Sequence, residues 1–474
     1  MARPLLLQAH ALRPVALAVV AGLCGCTSFS PDAGFAPVEQ AARSRLDKDL
    51  VWARSAADRD RIEQRVVELL RAPLTADDAV QLALLNNKGL QAAYHALGIG
   101  EAELVQAGRL SNPGFSFARL TRGSEVELER SFHFNLARLI VLPTLQQVEA
   151  QRFGQTQAQV ATAVLTLAAD TRKAWVQAVA AEESVRYTRL VMEAAEASAE
   201  LARRMAQVGN FNALQQAREQ GFYAETMLNL GRAQQVQRST REGLTRLLGL
   251  WGPQTAFTLP ERLPDLPRQA NEMPDIERRA IAQRLDVQQA RAAAEETARS
   301  LGLARTTRFI NVLELGLQNN GSNEAPTQRG WEITLELPLF DWGDARVARA
   351  EHVYMQSLQH AAGTAINARS EVREAYGAYR SAWDIARHHR DEIVPLRQRI
   401  LEENVLRYNG MLIGVFELLA DARAQIASVH AAIDALRDFW LAQADLEMAL
   451  VGRPALTAPA GPAMSTAQSG SAAH

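Results

Sequence analysis

The sequence predicts a mainly α-helical fold with a small β part, assembled from two copies of one unit. Three observations predict it. Alanine, glutamine, leucine, arginine and glutamate dominate long stretches, a helix-forming composition. The chain repeats itself at a spacing of roughly two hundred residues, the scale of a whole domain. Within each copy the apolar period switches from helical to two and back. The 474 residues would ordinarily suggest two or three domains. Lysine and arginine number 51 against 53 acids, a net charge of −2, which argues against nucleic acid as the main partner. No apolar run reaches the ~20 residues of a transmembrane helix, so any membrane crossing falls to strands.

Residues 1–25 read as a signal peptide: Arg3 and Arg13 supply positive charge, and Val15 to Leu23 form an apolar stretch too short to span. It ends in Leu23-Cys24-Gly25-Cys26, which resembles a bacterial lipobox with Cys26 as the acceptor. The sulfur would take a diacylglycerol, and the freed amine a third chain such as palmitate. Thr27 follows, in place of the Asp that in many bacteria favours inner-membrane retention. An ordinary signal peptide cut nearby is the alternative. Cys24 and Cys26 are the only cysteines, so the mature chain has no pair to bridge.

Residues 26–73 form an N-terminal segment, polar around Pro31, Gly34 and Pro37, with a helical pattern from Asp58 to Leu70. Thr75 is placed to cap the next helix, with Asp77 and Asp78 in its first turn. The repeats follow at 74–252 and 275–452, joined by a proline-rich linker, 253–274. Leu90-Gln91-Ala92-Ala93 matches Val287-Gln288-Gln289-Ala290, and Ala107 matches Ala304. Arg172-Lys173-Ala174-Trp175 matches Arg373-Glu374-Ala375-Tyr376, Gly209 matches Gly410, and Leu248-Gly249 matches Val451-Gly452. Their collinearity is what argues for duplication. Residues 453–474 are rich in Ala, Pro, Ser, Thr and Gly, a composition that predicts a disordered tail.

Each repeat opens with a helix, Ala76 to Leu110 or Ile276 to Thr306, followed by two strand-like segments. A very long helix comes next, Pro143 to Val208 or Asp344 to Tyr408, then a break at Gly209 or Gly410. The last helix runs Asn212 to Leu248 or Val415 to Leu450. At 1.5 Å per residue the long helix measures roughly 100 Å and the shorter two roughly 50 and 55 Å. The two shorter helices end to end match the long one, which suits a hairpin and not a compact domain of ordinary helices. On the second long helix, Val372, Ala375, Tyr379, Ala382, Ala386, His389, Ile393, Leu396 and Ile400 form a coiled-coil seam. Pro395 should bend or break it.

The strand segments alternate with period two. Trp331, Ile333, Leu335 and Leu337 share one face; Glu332, Thr334 and Glu336 share the other. Phe132, Phe134 and Leu136 alternate with His133 and Asn135, and Phe115 and Phe117 with Ser116 and Ala118. Phe309 to Gln318 is less regular and leads into a polar loop, Asn319 to Asn323. Such segments suit an outer-membrane barrel with Glu332, Thr334 and Glu336 lining water. Alternation alone fits a soluble hairpin with one buried face better. Four strands cannot close a barrel, so the membrane reading requires several chains.

The stretch Leu74-Thr75-Ala76-Asp77-Asp78-Ala79-Val80-Gln81-Leu82-Ala83-Leu84-Leu85-Asn86-Asn87 resembles the outer-membrane efflux proteins (TolC-like), as do Asn112-Pro113, Leu337-Pro338-Leu339-Phe340-Asp341-Trp342-Gly343 and Tyr408-Asn409-Gly410. The resemblance covers Leu74 to Gly452. It implies a homotrimer with a twelve-stranded β-barrel in the outer membrane above a periplasmic α-barrel, passively conducting small molecules or metal ions. It also implies an inner-membrane pump joined through a periplasmic adaptor, with outer-membrane lipid around the barrel. Adaptor contact would fall on the turns Val208-Gly209-Asn210 and Tyr408-Asn409-Gly410, where glycine suits a left-handed residue. An acidic constriction would fall on Glu417 and Asp421, which share a helix face. A solvated face is the alternative there, and a turn without a partner is the alternative at the reversals. The second turn carries one residue more than the first, Gly410 to Gly414 against Gly209 to Asn212. Pro143 stands where the second repeat has Gly343, which predicts a different join of strand and helix. The region around Arg43, Trp52 and Leu74 looks closest to members that accompany metal-exporting pumps.

An enzyme is not expected. There is no mature thiol beyond Cys26, no phosphate loop and no two-histidine metal motif, and His388-His389 point to different faces of a helix. No cofactor or metal is implied. A periplasmic coiled-coil spacer or adaptor lipoprotein without a pore is the competing reading.

Overall fold

The structure, a computed structural model, describes residues 28–307, 313–335 and 339–454. The expected signal peptide, Cys26, Phe309, Glu336, Leu337, Pro338 and the tail from 455 onward lie outside the described residues. In chain order the elements are α1 (Ala36–Leu46), α2 (Ala56–Leu69), α3 (Ala76–Asn86), α4 (Lys88–Ala107), β1 (Gly114–Arg122), β2 (Glu125–Asn135), α5 (Leu136–Gln207) and α6 (Ala213–Leu248). The second repeat follows with α7 (Ile276–Gln283), α8 (Leu285–Thr307), β3 (Leu313–Ser322), β4 (Gln328–Leu335), α9 (Asp344–His388), α10 (Val394–Asn409) and α11 (Val415–Val451). The duplicated order is that read from the sequence, and α1 is an element the sequence reading lacked.

Contacts divide the chain into two compact units. One comprises Met1–Gln40, Ala93–Ala161 and Gln288–Thr364; the other Ala41–Ala92, Thr162–Val287 and Ala365–His474.

The first unit holds the sheet. Its four strands pair antiparallel in the order β1-β2-β3-β4. The polar loop expected at Asn319 to Asn323 falls later in the chain, at 323–327. Asn319 to Ser322 belong to β3, because β3 pairs with β2 on one side and β4 on the other, and that ladder outweighs the low strand preference of Asn and Gly. Asn323 is a clamp: its side chain accepts from the Val126 N–H at 2.7 Å and donates to the Ser124 carbonyl at 2.8 Å. The long helix α5 begins at Leu136, not at Pro143. Asn135, the last strand residue, caps it by accepting from the Arg138 N–H at 2.8 Å, so Pro143 falls within the helix. The second repeat joins differently, through Gly343 at φ 72°, whose N–H donates to Asp341. Residues before α1 pack on the same unit. Gly34 lies so close to the Phe153 ring that a Cβ there would sit 2.3 Å from it.

The second unit holds two apolar cores among the described residues. Leu82, Trp175, Leu244, Leu248 and Leu263 belong to one; Val372, Tyr379, Trp383, Phe439 and Leu446 belong to the other. The linker is strapped onto these helices. Trp383 Nε1 donates to the Pro267 carbonyl, Trp440 Nε1 to that of Pro264, and the Asn271 N–H donates to the Tyr379 hydroxyl.

The first helix of each repeat is two helices. The expected Ala76–Leu110 breaks at Asn87 (ψ 119°), and Ile276–Thr306 breaks at Arg284 (ψ 127°). The breaks correspond between repeats, and both break-point side chains reach the C-terminus of their repeat's last helix. Asn87 donates to the Leu247 carbonyl and Asn86 to those of Leu248 and Gly249. Arg284, fully buried, reaches the Ala449 carbonyl and pairs with Asp286 and Glu371. Side-chain donors thus satisfy carbonyls that a helix end leaves free. Thr75 caps α3 as expected, accepting from the Asp78 N–H.

The expected break near Pro395 takes the form of a π-helical turn, His389–Ile393, in which the Val394 N–H donates to the His389 carbonyl. Proline lacks an N–H and would collide with the carbonyl four residues back; the wider turn removes both conflicts. One added residue also rotates everything beyond it. The seam therefore holds at Val372, Ala375, Tyr379 and Ala386 but not at Leu396, which is exposed.

Candidate functional site

Two regions bring the expected residues together, one in each unit. In the first unit, cross-strand register fixes which side chains share a face. Phe115 faces Phe132, Phe132 faces Leu317, and Leu317 faces Trp331. Phe134, Leu315 and Ile333 form the next row, and Leu313 with Leu335 the next. The opposite face carries Ser116, Glu127, Glu129, Ser131, His133, Gln318, Glu332 and Thr334. Glu332 and Thr334 thus sit on the polar face as expected, with Gln318 donating to Glu332 at 2.7 Å. A network of Ser116, Ser131 and His133 lies on the same face.

Among the described residues neither face has a core against it. Every residue of β4 is exposed, Trp331 to 70%, and Gly316 is the only buried residue among the described strand residues. A soluble hairpin with one buried face, which alternation alone favoured, would need such a core, and none is present among the described residues. Both edges of the sheet, β1 and β4, lack a neighbour among the described residues. An amphipathic sheet exposed on both faces and unpaired at both edges leaves apolar surface and backbone polar groups uncovered among the described residues.

In the second unit, the two helix reversals are neighbours, since the Phe211 and Phe416 rings lie 5.4 Å apart. In the first, Gly209 is left-handed (φ 81°) and the Asn210 N–H returns to the Met205 carbonyl. Asn212 and Gln215 then form a reciprocal capping box. In the second, the expectation for Gly410 fails. Gly410 has φ −80°, and the left-handed residue is Met411 (φ 58°), followed by Leu412 returning to the Arg407 carbonyl. The geometric partner of Gly209 is therefore Met411, one residue later than the sequence match. The cause lies upstream, in the residue that the π-helical turn inserts.

A left-handed methionine costs of order 1 kcal/mol or more. This one is 93% exposed, beside Leu412 at 78% and with Val208 at 71% on the first reversal. Asn210, Tyr408 and Asn409 are also exposed. Glu417, in the first turn of α11, is exposed, and Asp421 one turn later accepts from the buried Asn404 on α10. Sequence reasoning missed the strongest link here. Glu219 of α6, 2% exposed, accepts from Arg423 of α11 at 2.9 Å and from Ser198 of α5 at 3.0 Å. Arg423 lies over the Phe222 ring at 4.1 Å. Their separation of 204 residues leaves no local signature.

His388 pairs with Glu392 at 3.2 Å, while burial, with His388 adjacent, holds the His389 imidazole below its ordinary pKa. Among the described residues no cluster of three His, Cys, Asp or Glu could hold a metal ion, and no helix is long and apolar enough to cross a membrane.

No family model matches the chain, and no curated protein matches it. Solved structures do. CusC matches with a TM-score of 0.67 at 18% identity, over 80% of this chain and 92% of CusC. A membrane protein from Pseudomonas aeruginosa matches with a TM-score of 0.69 at 20% identity, over 79% of this chain and 92% of that one. The Campylobacter jejuni CmeC outer membrane channel matches with a TM-score of 0.66 at 17% identity, over 79% of this chain and 85% of CmeC. The described chain, with long helices and an exposed four-stranded sheet, has the fold of these proteins, the TolC-like fold.

Proposed function

We propose that this chain is one third of a trimeric outer-membrane efflux channel, anchored through acyl chains on Cys26. The observation that carries the reading is the sheet, apolar on one face, acidic and hydroxylated on the other, with no core on either and both edges open. Three such sheets joined edge to edge give a twelve-stranded barrel, an even number within the range of outer-membrane barrels. Closure satisfies both edges, places Trp331, Ile333 and Leu335 against lipid, and lines the lumen with Glu332 and Thr334. Transport through it is passive, outward from the periplasm, with energy supplied by an inner-membrane pump.

The reversals are the docking surface for a periplasmic adaptor. The left-handed, exposed Met411, with Leu412 and Val208, supports this, because strain and exposed apolar surface concentrate where partners bind. Glu417 and Asp421, three copies of each, form an acidic constriction that favours cations. Small molecules and metal ions are both suitable cargo. A pore-free spacer lipoprotein does not account for the amphipathic sheet.

The test is conductance of the purified protein in a planar bilayer. Discrete steps, with cation preference reduced in Glu417→Gln/Asp421→Asn, are expected. Absence of steps from a trimeric preparation would overturn the channel.

A further inference from the structure

The apolar face of the sheet is not apolar throughout. The register places Arg119, Arg130 and Arg329 on it. Arg130 stands opposite Phe117 on one side and Asn319 on the other, and Arg329 is the next neighbour of Asn319. Arg119 lies one pair closer to the β1–β2 turn, opposite Leu128. Arg130 and Arg329, two strands apart, are about 10 Å from each other, and Arg119 is about 8 Å from Arg130. Phe117 and Leu128 share these pairs, and all three arginines lie on the side of the Phe132, Leu317 and Trp331 row that faces the β1–β2 and β3–β4 turns.

Their surroundings leave them without internal purpose. All three are exposed, and none has an ion pair or a side-chain hydrogen bond among the described residues. The described strand carboxylates, Glu125, Glu127, Glu129, Glu314 and Glu332, all fall on the opposite face. The carboxylates are therefore confined to the polar face, whereas three of the four strand arginines share the apolar rows and only Arg122 lies among the acids. An arginine aimed at lipid costs about 2–4 kcal/mol at the bilayer midplane and about 0–1 kcal/mol near the interface. Such a row belongs at headgroup level, and the planar guanidinium pairs two-pronged with phosphate.

Resting on the barrel reading above, we infer that Arg119, Arg130 and Arg329 form a binding row for the phosphates of an anionic lipid in the outer leaflet. The helix-distal position selects that leaflet, since the helices extend from the other end of every strand. The spacing suits a headgroup carrying two phosphates, such as a bisphosphorylated glycolipid. Three chains would present nine arginines around the barrel.

Native mass spectrometry of the full chain in detergent, titrated with bisphosphorylated lipid A and with its dephosphorylated form, tests this. A preference of about tenfold or more for the phosphorylated lipid is expected. It should fall to about twofold or less in Arg119→Gln/Arg130→Gln/Arg329→Gln and persist in Arg122→Gln, an arginine of the polar face. Single Gln variants, each with a partial loss, serve if the triple variant misfolds. A preference unchanged in these variants, or abolished by excess inorganic phosphate, would overturn the row as a lipid site. Flotation of the Cys26→Ser protein with phosphatidylcholine vesicles separates the two readings. A protein that floats and conducts without phosphate preference defeats this inference alone. One that stays in solution defeats the barrel itself.

Discussion

Replacing Glu219 with glutamine keeps its shape and removes its charge. The carboxylate is 2% exposed and holds α6 to α11 through Arg423 and to α5 through Ser198. Breaking a buried pair by neutralising one partner costs about 3–5 kcal/mol, because the other charge is left uncompensated. Arg423 is 36% exposed, so water relieves part of that loss. Its Nε is already buried without a partner, which limits the relief. The net expectation is about 2 kcal/mol, or roughly a thirtyfold rise in local opening. Amide hydrogen exchange reads this directly. Residues 215–223 and 419–427 should exchange about thirty times faster, while 368–386 should stay within about twofold of the wild type. Glu219→Gln/Arg423→Met should recover most of the protection, since it leaves no orphan charge. Exchange near the reversals unchanged by Glu219→Gln would refute the reasoning, and so would an equal acceleration throughout. In the channel reading the same variant should also raise mean conductance, by loosening the helices around Glu417 and Asp421.

Three further outcomes are expected. Phe439→Ala empties a fully buried ring site against Tyr379 and Trp440, and should cost about 3–5 kcal/mol by denaturant titration. Gly249→Ala forces a Cβ to 2.8 Å from the Asn86 carbonyl oxygen at φ 66°, and should cost about 2 kcal/mol with the denaturant slope unchanged. The third concerns His430, half-buried against Tyr187 with ring centroids 4.9 Å apart. Desolvation holds its imidazole below the usual range, with Asp434 opposing. The unfolded chain therefore takes up the proton first, so this stability is complete above about pH 6.5 and is lost as pH falls toward the folded pKa. Comparing unfolding midpoints at about pH 7.5 and pH 5.5, His430→Phe should show a smaller decline than the wild type.

The parts of this fold legible in the sequence are those with local causes. Trp331 to Leu335 alternates cleanly, Thr75 and Asn212 cap the helices they precede, and the last helix of each repeat falls within a residue of its expected limits. The parts not legible depend on distant partners. Asn87 and Arg284 are tolerable inside a helix, and what breaks the helix there is the helix terminus each side chain reaches. β3 continues through Asn319 to Ser322 because two other strands pair with it. At the reversals, a rule that prefers glycine for left-handed backbone chose Gly410, correct in chemistry and one residue short. The π-helical turn that displaced it follows no 3.6-residue period and could not be seen in one. The arginine row was available in principle, since alternation places Arg329 with Trp331. Register across four strands was needed to bring Arg119 and Arg130 beside it.

In the proposed channel the two faces of the sheet meet different solvents. Cysteine placed at Glu332 or at the adjacent Ile333, with Cys26 replaced by serine, reports this in lipid vesicles through a water-soluble maleimide. Glu332→Cys should react at least about ten times faster than Ile333→Cys, because one faces a water-filled lumen and the other hydrocarbon. Equal rates, or a protected Glu332→Cys beside a reactive Ile333→Cys, would contradict it.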